Sequence, residues 1–133
     1  MSEAVSVEVR DETTSGETTN ELFLRLESER LSVRELICSR VYQEVREYNA
    51  KASGLFKGLV QPSDAERELN GFRLKPRKQI DWKRQAEEAC EAFERGSVLV
   101  LVDDRQVESL EDELELRPGS SVAFLRLVPL VGG

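Results

Sequence analysis

The chain opens on strict alternation, with Val5, Val7 and Val9 apolar and Ser6, Glu8 and Arg10 polar between them. A period of two puts the valines on one side of a strand and the polar residues on the other, the pattern of a half-buried strand. Residues 11–19 are polar and centred on Gly16, which predicts a hairpin loop. Alternation resumes with Leu22, Leu24 and Leu26 on one face and Phe23 and Arg25 on the other, so an antiparallel hairpin is expected. At Ser32 the period changes. Val33, Leu36, Ile37, Val41, Val45 and Tyr48 recur at three and four, one stripe of a helix, with Arg34, Arg40, Glu44, Arg46 and Glu47 placed elsewhere on it. Ser32 and Glu35 have the spacing of a capping box, in which each side chain takes a backbone N–H that the first turn leaves free. The helix is expected to end between residues 49 and 53, ahead of Gly54.

A long detour over residues 51–96 follows. Leu55, Phe56, Leu59 and Val60 form a glycine-punctuated apolar stretch, Pro62 and Ser63 predict a short helix reaching residue 70, and residues 71–78 read as irregular and basic. Asp81 is placed to cap a second long helix on which Trp82, Ala86, Ala89, Cys90 and Phe93 share a face, and Gly96 stops it. This stripe is narrower than the first, which predicts a helix docked on the flank of the first half rather than one building its own core. Strand character returns in the unbroken aliphatic run Val98–Val102. Asp103 and Asp104 signal a turn, residues 105–107 a short returning strand, and Leu110, Leu114 and Leu116 pin an acidic segment whose Glu111, Asp112 and Glu113 read as a solvated turn. Pro118 and Gly119 predict another turn, because proline presets φ and glycine accepts positive φ. Residues 121–128, rich in Val, Phe and Leu, are the last expected strand. No internal repeat and no long linker divides the chain, so residues 1–133 are expected to form a single domain.

Composition narrows the function classes. Charged residues make up 34% of the chain and aromatics 6%, so the core has to be mainly aliphatic. A net charge of −7 argues against a general nucleic-acid binder. No apolar run approaches the roughly 18 residues of a membrane span, and no signal peptide is read at the start. Two cysteines without a secretory segment point to a reducing cytoplasm, and Cys38 and Cys90, flanking the apolar helical stripes, read as small, partly buried hydrophobes. Histidine is absent, which removes the commonest general base and metal ligand. No enzymatic activity and no resident cofactor are therefore expected. All the lysines, Lys51, Lys57, Lys75, Lys78 and Lys83, fall between residues 51 and 96, while the rest of the chain uses arginine. Lysine amines can be acylated, whereas guanidinium groups keep their charge and are poor nucleophiles. Arg73, Lys75, Arg77, Lys78, Lys83 and Arg84 form a basic cluster, most simply a solvated loop, in an otherwise acidic protein.

The most specific stretch comes last. Arg117-Pro118-Gly119 is followed by Val122 and Phe124 and runs into Pro129-Leu130-Val131-Gly132-Gly133. A glycine pair weakens a strand and adds no burial; what it offers is a slim tail with an unhindered carboxylate. Together with the hairpin and the amphipathic helix, this stretch resembles the ubiquitin-like β-grasp superfamily with a C-terminal diglycine. The likeness is to bacterial sulfur carriers, of the molybdopterin synthase small-subunit and thiamine-carrier type, and to bacterial ubiquitin-like modifiers. It covers residues 1–50 and 97–133, specific at the C-terminal end and a matter of pattern at the N-terminal end.

The resemblance implies an α+β fold: a β-grasp mixed sheet with a crossing helix, the last strand central and parallel to the first. Residues 51–96 then become an extended helical crossover insertion, longer than the family usually has. It also implies that Gly133 is the residue adenylated by an activating enzyme, with Gly132 its slim neighbour and Pro129, Leu130 and Val131 the tail. ATP would be used by that partner, since the chain has no phosphate-binding loop of the Walker type. A modifier would next meet a conjugating enzyme and target proteins and end in an isopeptide bond, with the crossover lysines as possible acceptors. A sulfur carrier would instead hold a thiocarboxylate for a synthase making molybdopterin, thiamine or a related cofactor. The added surface of the crossover favours the modifier, and a non-conjugated ubiquitin-like binding module is a weaker third reading. With Val122 and Phe124 facing the helix, Ala123, Leu125 and Leu127 face outward beside Leu99 and Leu101. That face is expected either to bind partners, through Leu125 and Leu127, or to lie under the crossover.

Overall fold

In the computed structural model the described residues are 4–51, 55–56, 58–62, 66–68, 71–73 and 79–127, with backbone alone described for residue 51 and the short strands between 55 and 73. The two alternating segments form strands β1 (Val5–Glu12) and β2 (Thr18–Leu26), paired antiparallel around a loop in which Gly16 has φ +87°. Val5, Val7, Val9, Leu24 and Leu26 are buried on one face, and Phe23 is exposed on the other. Strand β1 is longer than its alternating residues suggest. Asp11, assigned to the polar loop, lies in the strand and is 1% exposed, next to an irregularity in the β1–β2 register at Asp11/Glu12.

A short strand β3 (Arg30–Ser32) leads into helix α1 (Val33–Lys51). The first turn of α1 shows why the acidic segment after residue 107 returns to this point. The Val33 N–H donates to the Asp112 carbonyl at 3.0 Å, the Arg34 N–H to the Leu110 carbonyl at 2.9 Å, and the Glu35 N–H to Ser32 Oγ at 3.1 Å. Three donors with no partner inside the helix are thereby satisfied. The capping box is half formed, because the Glu35 carboxylate takes the Ser32 hydroxyl, at 3.3 Å, instead of reaching back to the backbone. All six stripe residues of α1, from Val33 to Tyr48, are buried.

Residues 51–96 depart from expectation. A short helix from Pro62 to residue 70 is not what forms: Glu66–Glu68 is a strand, β5, paired antiparallel with β6 (Gly71–Arg73), which also pairs with β4 (Leu55–Phe56). The insertion is therefore a small three-stranded sheet followed by a helix rather than helical throughout, and part of the stretch read as irregular is strand. Glycine at residue 71 opens β6, and two strands so close in sequence satisfy each other's backbone groups without help from a hydrophobic stripe. Helix α2 (Trp82–Glu94) is capped as expected, with Asp81 Oδ1 accepting the Lys83 N–H at 3.1 Å and Gly96 at φ +79° after the last turn. Its buried face carries Gln85, Ala86, Ala89, Cys90, Ala92 and Phe93 and packs on α1 and on β7 (Val98–Val102).

Strand β8 (Arg105–Gln106) folds back on β7 through Asp103 and Asp104, both at positive φ, 49° and 66°. Strand β9 (Glu113–Glu115) pairs with β3, so Glu113 belongs to a strand, not a turn, and Leu114 is the buried residue between two exposed glutamates. The last strand, β10 (Ser121–Arg126), lies parallel to β1 and antiparallel to β7. The main sheet is mixed, in the order β2-β1-β10-β7-β8, and the chain is an α+β protein with α1 and α2 on the inner side of the core. The buried core is continuous: Val7, Leu36, Val100 and Phe124 belong to the same cluster as Leu59, Ile80, Ala89 and Phe93 from the insertion. Gln43 closes the outer edge of β2, donating to the Phe23 carbonyl at 2.9 Å and accepting the Arg25 N–H at 3.4 Å. Such edge groups otherwise invite pairing with another chain. No helix among the described residues is long and apolar enough to cross a membrane.

Candidate functional site

The C-terminal strand is where the candidate residues meet the fold. Alternation along β10 sends Val122 and Phe124, both 0% exposed, to the helix side, and leaves Leu125 half-buried and Leu127 exposed. The strand is held from both flanks: β1 pairs with it from Glu8↔Ser121 to Glu12↔Leu125, and β7 from Val122↔Val102 to Arg126↔Val98. Past the strand, the Leu127 N–H donates to the Ser97 carbonyl at 2.9 Å, and Arg126 Nη1 reaches the Gly58 carbonyl at 3.4 Å. Pro129, Leu130, Val131, Gly132 and Gly133 lie outside the described residues, as does residue 128.

Behind β10 sits a cluster that periodicity missed. Arg40, expected off the buried face of α1, is 0% exposed. Its guanidinium binds Asp11 with both terminal nitrogens, the Nη2–Oδ2 contact being 2.7 Å, and its Nε donates to Glu44 Oε2 at 3.2 Å. The guanidinium carbon stands 4.6 Å from the centroid of the Phe124 ring, in cation–π range. Glu44, also expected on the polar side, has a side chain only 9% exposed, and its second oxygen accepts the Leu59 N–H at 3.1 Å. Burial pushes the Glu44 carboxyl above its ordinary value, against the pull of Arg40 and the Leu59 N–H. One cation and two carboxylates therefore tie α1 to β1, to Phe124 of β10 and to the insertion. A buried ion is tolerable only when its partners are placed to compensate it, as Asp11 and Glu44 are here.

The insertion is pinned at further points. Asn49 exchanges two hydrogen bonds with the backbone of Ile80, at 2.9 and 3.0 Å, and Gln85 Nε2 donates to the Val60 carbonyl at 2.6 Å. These contacts lie on the helix side of the sheet. On the other side, Leu125 pairs in register with Leu99, and Ala123 with Leu101; Leu99, Leu101 and Leu125 are half-buried, while Ala123 is buried between its ladder neighbours. Of the lysines, Lys51 ends α1 and Lys83 is exposed in the first turn of α2; Lys57, Lys75 and Lys78 lie outside the described residues. Within the basic cluster, Arg84 pairs with Glu88 at 3.5 Å on the exposed side of α2.

A signal for the Arg40 cluster does exist in the sequence: Arg40 and Glu44 are four apart, so they share a helix face, and Arg40 lies three residues after Ile37 and one before Val41 on the apolar stripe. No protein-family model, curated protein or solved structure matches the chain.

Proposed function

We propose that this chain is a ubiquitin-like β-grasp protein whose Gly133 carboxylate is activated by a partner enzyme and transferred covalently, as a protein modifier in a bacterial ubiquitination-like pathway. The observation that carries the reading is the placement of β10: a central strand, parallel to β1 and backed by α1, that precedes the Pro129-to-Gly133 segment in the sequence. A hairpin, a helix packed across it and a final strand inserted beside the first are the β-grasp arrangement. The half-buried leucines of the outer face, Leu99, Leu101 and Leu125, with exposed Leu127, supply an apolar surface for an activating or conjugating enzyme. The pinned insertion adds surface that a sulfur shuttle does not need, which favours the modifier over a carrier.

The chemistry asks little of this chain beyond position. The Gly133 carboxylate attacks the α-phosphate of ATP held by the partner, giving an acyl adenylate and releasing pyrophosphate. A partner thiol then displaces AMP to form a thioester, and a target amine displaces the thiol to form an amide. A side chain at Gly132 would meet the walls of the channel that leads to the nucleotide, and a displacement of about 1 Å at a reacting atom can cost roughly a hundredfold in rate.

The test begins with the intact mass of the protein from its source, which establishes that Gly133 carries the free carboxylate. Pyrophosphate exchange with the cognate activating enzyme is then measured for the full chain, for a Gly133 deletion and for Gly132→Trp. Both variants are expected to lose exchange while melting as the parent does. Exchange by the deletion variant at the parental rate would overturn the reading. Mass spectrometry of the product separates the two fates: attachment to another protein identifies the modifier, and exchange of one oxygen for sulfur identifies the carrier.

A further inference from the structure

The only cysteines of the chain are brought together across the interface of the two helices. Cys38 is on α1 and Cys90 on α2, and both line one surface groove with Arg34, Trp82 and Lys83. Cys38 is half-buried and open to the groove, whereas Cys90 is 5% exposed. The two thiols line the same groove where α2 packs on α1, near enough for Cys38 to act on the Cys90 thiol. Ala86, one turn before Cys90, and Ala89 are buried on the packed face of α2. Such small residues let two helices approach, which a disulfide requires, since its Cα atoms stand about 4.4–6.8 Å apart.

We propose that Cys38 and Cys90 are an oxidisable pair, and that a hydroperoxide converts them to a disulfide bridging α1 and α2. Hydrogen peroxide oxidises the Cys38 sulfur, the accessible one, to a sulfenic acid and is itself reduced to water. The Cys90 sulfur then attacks the Cys38 sulfur, forming the S–S bond and expelling a second water that carries the Cys90 proton. The order follows from the surroundings. Burial, together with Cys38, pushes the Cys90 thiol up to about 11, so it is protonated at neutral pH and serves as the resolving partner. Arg34, one helical turn before Cys38 and in the same groove, opposes part of that rise at Cys90.

The consequence falls on the insertion. Cys38 belongs to the helix that crosses the main sheet, and Cys90 to the helix that closes residues 51–96. A bond between them encloses the insertion in a covalent loop, adding to the hydrogen bonds that already hold Leu59, Val60 and Ile80. The thiol form leaves that attachment to noncovalent contacts alone. The oxidation state of the cytoplasm would thus set how firmly the insertion is fastened, independently of the tail chemistry.

The experiment treats the full chain with hydrogen peroxide at low protein concentration, alkylates remaining thiols and measures intact mass and tryptic peptides. The expected result is loss of two hydrogens, no alkylation, a Cys38–Cys90 linked peptide pair in the monomer, and a rise in melting temperature that dithiothreitol reverses. Cys90→Ser is expected to leave Cys38 as a sulfenic acid that reacts with dimedone, and Cys38→Ser to stop bridge formation. The peptide map of the unmutated protein decides the matter even where a variant folds poorly. Two alkylated thiols after peroxide treatment, or disulfides found only between two copies of the chain, would overturn the proposal.

Discussion

The Arg40 guanidinium lies over the Phe124 ring and grips Asp11, the residue paired with Phe124 across the parallel β1–β10 ladder. Helix, first strand and last strand are thus joined at one buried charge. Removing the cation strands two buried carboxylates, so Arg40→Met alone is expected to destabilise the protein by about 3–5 kcal/mol. Replacing the cluster together, with Asp11→Val, Arg40→Met and Glu44→Gln, leaves no unpaired ion and keeps an acceptor for the Leu59 N–H. That triple variant is expected to recover most of the loss. Urea unfolding of both measures the difference, and a triple variant as unstable as Arg40→Met would refute the electrostatic account.

Glu44 gives the cluster a pH signature. Its folded-state carboxyl titrates above the ordinary Glu value of about 4.3, mainly because it is buried. Over the window between those two values the folded chain holds a proton that the unfolded chain has released, so unfolding free energy falls as pH rises through it. The contribution is fully present below the ordinary value and lost above the raised one. Glutamine cannot titrate, so the stability of the native protein relative to Glu44→Gln is expected to decline as pH climbs across the window. Urea midpoints for the two proteins at matched pH provide the check; a difference that stays flat or grows with pH contradicts it.

Neighbours on β10 should behave oppositely, because a strand sends them to opposite faces. Phe124 is fully buried, and Phe124→Ala is expected to cost about 3–5 kcal/mol. Leu125 is half-buried on the outer face, and Leu125→Asp is expected to cost no more than about 1–2 kcal/mol while weakening binding to the proposed activating enzyme. Thermal melts and a binding titration separate the two effects. A Leu125→Asp protein that melts like Phe124→Ala would remove the outer face as a partner surface.

If the chain is linked to copies of itself through lysine, the branches are expected within residues 51–96, at Lys51, Lys57, Lys75, Lys78 or Lys83. Lys83 is exposed in the first turn of α2, where its backbone N–H serves the cap and its side chain is left at the surface. Peptide mapping of conjugates decides the point, and branches on the N-terminal amine or on hydroxyls would contradict it.

The sequence by itself determined the elements whose burial is periodic. Alternating valines and leucines located the β1–β2 hairpin, the stripe from Val33 to Tyr48 located α1, and Asp81 with Gly96 bounded α2. Local chemistry sufficed there, because a repeat of two or of three and four states which side of an element meets the core. The tail residues were legible only as a motif. What only the tertiary structure decided was which charges went inside and which strands found partners. Arg40 and Glu44 read as solvated because a charge is costly to bury unless compensated, and the compensating Asp11 is 29 residues from Arg40 in sequence. Glu66–Glu68 is a strand because Gly71–Arg73 lies beside it to accept and donate, and Arg30–Ser32 is one because Glu113–Glu115 returns to it. Cys38 and Cys90 became a pair only when α2 packed on α1. Each of these depends on a partner distant along the chain or on backbone pairing, and neither leaves a period in the residues themselves.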